Sequence, residues 1–163
     1  MATTTTVAEV KRALLDELQA LSIASATEAS PTGVQVTYGR PPIDRQRSES
    51  VYFGSATRSI ADPEQRLVAG RRKRMWSWEI PIMIDTAIII DSEDAEARAF
   101  VIAAAIENFF AAYSQPAEWP TTPVTSGALS VLVADMESDL IENIDGYQGV
   151  RLTIVVHLKE RLL

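Results

Sequence analysis

Between Met75 and Asp85 the chain alternates strictly: Trp76, Trp78, Ile80, Ile82 and Ile84 share one parity, and Met75, Ser77, Glu79, Pro81 and Met83 the other. A period of two marks a β-strand with one apolar face. The chain must therefore build a sheet and cover that face. Pro81 interrupts the pattern because it cannot donate to a ladder, so its amide side is expected at an edge or a bulge. An exposed edge would invite pairing with another chain.

Two segments have the period to supply the cover. Val7, Val10, Leu14, Leu18 and Leu21 recur at helical spacing. Thr6 and Glu9 read as a capping box ahead of a helix over residues 7–21. The second helix, over residues 95–113, is alanine-rich and follows Asp91, Ser92, Glu93 and Asp94. Those residues cap well, and the acids suit the positive end of the helix dipole. Phe100, Val101, Ala104, Ala105, Asn108 and Phe109 trace its expected apolar stripe, widened by Ile102, Ile106, Phe110 and Tyr113.

The remaining strands are shorter. Residues 34–38 and 49–54 are β-rich, with Val51 and Phe53 on one side of the second and Tyr52 on the other. Residues 127–136 carry apolar groups on both parities, as an inner strand does. Val150, Leu152, Ile154, Val156 and Leu158 alternate with Arg151, Thr153, His157 and Lys159 in the last strand, after a turn signal at Asp145-Gly146. Pro116, Pro120 and Pro123 bracket Trp119 in an irregular link. The expected architecture is α+β: one domain in the order α-β-β-β-α-β-β, with a mixed or antiparallel sheet of about five strands packed by two helices. At 163 residues a single self-standing core is the natural size. Residues 55–74 form a long arm between strands two and three with few apolar anchors, and loops of that length inside a compact domain are usually functional or disordered. Pro63 suits the first position of a short helical turn within it.

The charge of this chain is unevenly spread. Its net charge is -7, yet residues 40–74 hold nine Lys and Arg against four Asp and Glu. A basic arm on an acidic body suits a partner of complementary charge, though it is also the pattern of a solvated loop. The cations Arg58, Arg66, Arg71, Arg72, Lys73 and Arg74, with Trp76, Trp78 and Pro81, are the candidate contact residues. Two tryptophans of one parity can stack on bases, but three isoleucines share their face, which favours core or subunit packing.

Little in the sequence points to catalysis. With no cysteine there is no thiol chemistry, disulfide or cysteine-held metal. The single histidine, His157, falls on the polar side of its strand, without a glycine-flanked nucleophile turn elsewhere. Asp135, Glu137, Asp139, Glu142 and Asp145 fail the calcium-loop pattern, which needs glycine at the sixth position where Leu140 stands. Gly70 to Arg74 lacks the second glycine and the Lys-Ser/Thr end of a phosphate loop. No cofactor, metal or catalytic set is expected. No apolar stretch reaches the ~20 residues of a membrane helix, and the start lacks the basic and apolar regions of a signal peptide.

The order of elements carries a resemblance. A leading amphipathic helix precedes Val34-Gln35-Val36-Thr37-Tyr38-Gly39-Arg40-Pro41. Glu49-Ser50-Val51-Tyr52-Phe53-Gly54 comes next, then the arm and the alternating strand, then Asp94-Ala95-Glu96-Ala97-Arg98-Ala99, Ala105-Ile106-Glu107 and two closing strands. Over nearly its whole length the chain resembles the tail terminator, or tail completion, proteins of phages with long non-contractile tails. The resemblance implies a virion protein, assembled in the host cytoplasm, that forms a homo-hexameric ring on the last ring of the tail tube protein. Such a ring stops tube growth and offers a surface to a head-side connector or stopper, while genomic DNA passes its lumen without sequence-specific binding. A neighbouring neck protein and a nucleic-acid-binding module using the arm are the alternatives.

Overall fold

The computed structural model describes residues 3–21, 34–42, 45, 48–59, 67–68, 71–72, 75–87, 92–125, 127–142 and 148–161. Helix α1 (Thr3–Ala20) leads to the short strand β1 (Gln35–Thr37) and to β2 (Glu49–Phe53). Next come β3 (Thr57–Ser59), β4 (Leu67–Val68), β5 (Arg71–Arg72) and the long β6 (Met75–Ala87). Helix α2 (Ser92–Ala112), a 3-10 turn at Pro116–Glu118, β7 (Ala128–Glu142) and β8 (Gln148–Arg161) complete the chain.

Six strands form one mixed sheet in the order β1-β2-β6-β8-β7, with β3 also on β6, and β4 and β5 pair separately. Only β1 and β2 run parallel among these pairs. The expected α+β architecture is present, with strands added inside the arm.

The alternation of β6 decides where the core lies. Ile80, Ile82 and Ile84 are fully buried, as are Leu152, Ile154, Val156 and Leu158 of β8. They meet Val10, Leu14 and Leu18 of α1 and Ala99, Ile102 and Ile106 of α2 in one core. Full burial of each such aliphatic side chain is worth about 1.5–3 kcal/mol. Both helices therefore lie on one face of the sheet. Trp119 is buried beside them and donates its indole N–H to the Tyr113 carbonyl at 3.0 Å.

Buried charge is paired and fixes how the layers sit. Arg98 of α2 grips Glu49 of β2 through Nε–Oε1 at 2.8 Å and Nη2–Oε2 at 3.2 Å. Glu17 of α1 accepts the backbone amides of Thr121 and Thr122, each at 2.7 Å, clamping the proline-rich link to the helix. Lys11 donates to the Gly54 carbonyl at 2.9 Å and lies 4.6 Å from the Tyr38 ring centroid. Burial pushes its pKa down. On the opposite face, Asp85 takes a two-point contact from Arg151 at 2.8 and 3.0 Å and the Tyr52 hydroxyl at 2.8 Å.

Several expectations are corrected. Helix α1 starts at Thr3, and Thr6 is a buried position inside it rather than its cap. The stripe of α2 is rotated: Ala95, Ala99, Ile102, Ala103, Ile106, Phe109 and Phe110 are buried, whereas Phe100 and Val101 are exposed. Strand β7 is an edge strand, not an inner one. Its register shifts between Ala128 and Ser130 and between Val133 and Asp135. Each extra residue reverses the facing of the residues after it. The two shifts bring Ala128, Val131, Val133 and Met136 to the core side, while Leu132 points to the other face and is exposed, so the second parity is apolar without being covered. The arm is not structureless, because β3 pairs with β6 and β4 with β5. The turn expected near Pro63, the cap at Asp91 and the turn at Asp145-Gly146 lie outside the described residues.

Candidate functional site

The root of the arm is where most of the described candidate side chains meet. Strand β3 leaves β2 after Gly54 and Ser55 and pairs with the first half of β6, Thr57 opposite Glu79 and Arg58 opposite Trp78. That register puts Arg58 on the same side as the tryptophans, and its Cζ lies 3.7 Å from the Trp76 ring centroid. Guanidinium over indole is an attractive pairing of about 0.5–2 kcal/mol, more when water is excluded. Trp78 packs against the core and donates from Nε1 to Glu160 Oε2 at 3.0 Å. Glu160, from β8, is buried, with only 2% of its surface exposed. Trp76 is half-buried, and its Nε1 is buried without a hydrogen-bond acceptor.

The arm root lies beyond the end of the helix layer. Helix α2 begins beside Thr86, whose hydroxyl donates to the Ala95 carbonyl at 2.7 Å. Just past the helix, the Ser114 carbonyl accepts the Val131 amide at 2.8 Å, and Val131 is opposite Leu158, itself opposite Trp78. The helix thus runs out at the level of Trp78, and Trp76 extends past it. A cation stacked on an indole, a second indole tied to a buried carboxylate and a buried donor lacking an acceptor thus lie together at the arm root. Arg and Trp are the residue types that dominate protein interfaces.

Pro81 sits elsewhere. Strand β6 is flanked by β8 on one side and by β2 and β3 on the other. Phe53 is opposite Ile82 and Thr57 opposite Glu79, so the β2–β3 side holds one residue more than β6 across this stretch. The bulge is realised and the edge is not. Pro81 accepts the Gly54 amide through its carbonyl at 2.9 Å. A strand residue's carbonyl and amide face the same neighbour. The missing N–H therefore falls at the bulge, where no ladder bond is lost. Arg71 and Arg72 form β5, while Arg66, Lys73 and Arg74 lie outside the described residues.

The polar groups read for chemistry are dispersed. His157 Nε2 lies 3.3 Å from Glu79 Oε1 on the sheet face opposite the helices. Asp135, Glu137 and Asp139 are exposed along β7. Among the described residues, no three His, Asp or Glu side chains are placed to hold a metal ion. A groove of about 500 Å³ runs between the C-terminal ends of the two helices, lined by Glu17, Leu21, Phe109 and Tyr113 among others. Its carboxylate, Glu17, is already taken by the two threonine amides. No described helix is long and apolar enough to cross a membrane.

Two features escape a reading of the sequence. Glu160 resembles one more terminal charge, and only the strand register brings it under Trp78. The exposed pair Phe100 and Val101 falls on the expected core stripe, because an alanine-rich helix offers apolar residues on every side and periodicity alone does not choose between them.

No protein-family model matches the chain, and no curated protein matches it. Among solved structures, a chain of the virion of a native gene transfer agent particle superimposes with a TM-score of 0.60 and 14% sequence identity. The likeness covers 97% of this chain and 98% of that one. The α+β domain, from its leading helix to its closing strands, is thus a fold shared end to end with a chain of that particle.

Proposed function

We propose that this chain is a structural virion protein that forms a ring on the end of a phage-type tail tube, stops its elongation and offers a surface for joining the head. The end-to-end likeness to a virion chain carries this reading, and the order of elements supports it. The mechanism is assembly, not catalysis. Covering the growing face of the last tube ring removes the surface on which another tube subunit would add. A ring also requires a heterologous contact, in which different patches of neighbouring copies meet.

The arm root is the proposed contact for a neighbour or the tube. Arg58 supplies an exposed guanidinium, and Trp76 and Trp78 supply half-buried indoles, for such a contact. Arg66, Arg71, Arg72, Lys73 and Arg74 add charge attraction along the arm. Pro81 contributes by shaping the bulge from which the arm departs. Partners are further copies of the chain, expected as a hexamer, the tail tube protein and a head-side connector or stopper, with DNA passing the lumen.

The test is the mass of the purified protein over a series of salt concentrations, alone and with tail tube protein, with tube ends viewed by electron microscopy. Six-fold rings, or capped tubes of arrested length, are expected. A monomer that ignores tubes, yet binds DNA with an affinity falling steeply with salt, would replace this reading with the nucleic-acid one.

A further inference from the structure

The ladder beside the arm lacks one donor. The β2–β6 register, continued past Phe53 opposite Ile82, sets Gly54 opposite Pro81. In an antiparallel ladder, two opposite residues that share one such bond normally share both. The Gly54 amide donates to the Pro81 carbonyl at 2.9 Å. Proline has no N–H to return, so the Gly54 carbonyl receives nothing from the residue opposite it. The β3–β6 ladder takes over only at Thr57 opposite Glu79.

Lys11 of α1 supplies that donor. Its Nζ lies 2.9 Å from the Gly54 oxygen, so the pair keeps two bonds in spite of the proline. The ammonium is also 4.6 Å from the Tyr38 ring centroid and 5.9 Å from that of Phe53. The ends of β1 and β2 and the start of the arm all meet this one cation. Only 8% of the Lys11 surface is exposed, and among the described residues no carboxylate forms an ion pair with it. Burial pushes its pKa down, because a charge buried without a counter-ion is held at a cost. Packing between two rings needs no charge, and a methionine of similar length would serve. What the ammonium alone adds is a donor aimed at the Gly54 carbonyl.

We propose that Lys11 stands in for the missing Pro81 N–H and is thereby the positioning residue of the arm root. Gly54, held from α1, fixes where β3 starts and so presets Arg58 over Trp76 before a partner arrives. A contact segment ordered in advance loses less freedom on docking and binds more tightly. The inference rests on the proposed ring only for what the arm root meets.

The test is hydrogen exchange at the amides of residues 54–59 in the full-length chain, with urea unfolding and assembly on tail tubes measured alongside, for K11M, P81A and K11M/P81A. K11M should speed exchange there about tenfold or more, as loss of one hydrogen bond from a charged donor does. The urea midpoint should hold, because the buried charge goes with the bond. P81A gives β6 its N–H back, so K11M/P81A should return exchange to the wild-type rate and restore the assembly that K11M weakens. A lysine that only filled space would not be remedied by P81A. Unchanged exchange in K11M would overturn the inference. So would faster exchange across the whole sheet with a lower midpoint, or a double variant that exchanges as fast as K11M. A K11M chain that assembles like wild type would overturn the presetting of the contact. Wild type that forms neither rings nor caps removes the ring reading alone, since exchange in the isolated chain still decides the role of Lys11.

Discussion

Replacing Arg98 by alanine tests whether the pair between α2 and β2 holds the helix layer in place. The two side chains are 17% and 4% exposed, and two bonds of 2.8 and 3.2 Å join them. Among the described contacts, Arg98 is the cation that compensates the buried Glu49 carboxylate. Removing one partner of such a pair strands the other charge in a low-dielectric setting, at a cost of about 3–5 kcal/mol. A domain of this kind has a total stability of about 5–15 kcal/mol, so R98A should lose a large share of it. Replacing both partners, as in E49Q/R98M, removes the stranded charge and should return stability to within about 1–2 kcal/mol of wild type. The assay is urea unfolding at pH 7, followed by tryptophan fluorescence, for wild type, both single variants and the double. Two results would refute the reasoning: an R98A cost below about 1 kcal/mol, or a double variant no more stable than R98A. Either would mean that water already reaches Glu49 and that the helix layer is held by apolar packing alone.

Three further outcomes come from the geometry. A Cβ at Gly54 would lie 2.7 Å from Pro81 Cγ and 3.0 Å from Met83 Cε, so G54A should cost about 1–3 kcal/mol by overpacking; a neutral result in urea unfolding would show that the bulge yields freely. W76F removes a buried donor without an acceptor but also trims the ring under Arg58, so the isolated chain should change by no more than about 1 kcal/mol in either direction while assembly weakens; unchanged assembly would refute the role of the indole. Burial first, then the bond to Asp85, pushes the Tyr52 hydroxyl up from 10.0 to about 12. The folded state thus keeps a proton that the unfolded chain gives up. The stabilisation is fully present below pH 10 and lost between pH 10 and about 12. Y52F should accordingly lose less stability than wild type between pH 9 and 11.5, and parallel curves for the two proteins would contradict the assignment.

Much of the candidate surface was legible as residue type and not as place. Arg58, Trp76 and Trp78 stand out by chemistry, and the alternation of β6 correctly puts both indoles on the isoleucine face. What they touch depends on partners far along the chain: Arg58 reaches Trp76 through β3, and Glu160 meets Trp78 across 82 residues. A short pairing strand such as β3 has no periodicity of its own to read, since Thr57 to Ser59 is three residues.

Local pattern by itself determined the two helices, the strand parity of β2, β6 and β8, and the acidic start of α2. Each of these is written in spacing that a neighbouring residue can satisfy or violate. Tertiary structure alone decided which side of α2 is core, because alanine-rich helices are apolar from every direction and the sheet buries one side only. It decided that β7 lies at the edge, since bulges shift its facing and Leu132 is apolar yet exposed, and that Pro81 faces a bulge rather than solvent. These are questions of which long-range partner arrives. Burial belongs to the pair of surfaces that meet, and a single strand or helix carries only half of that information.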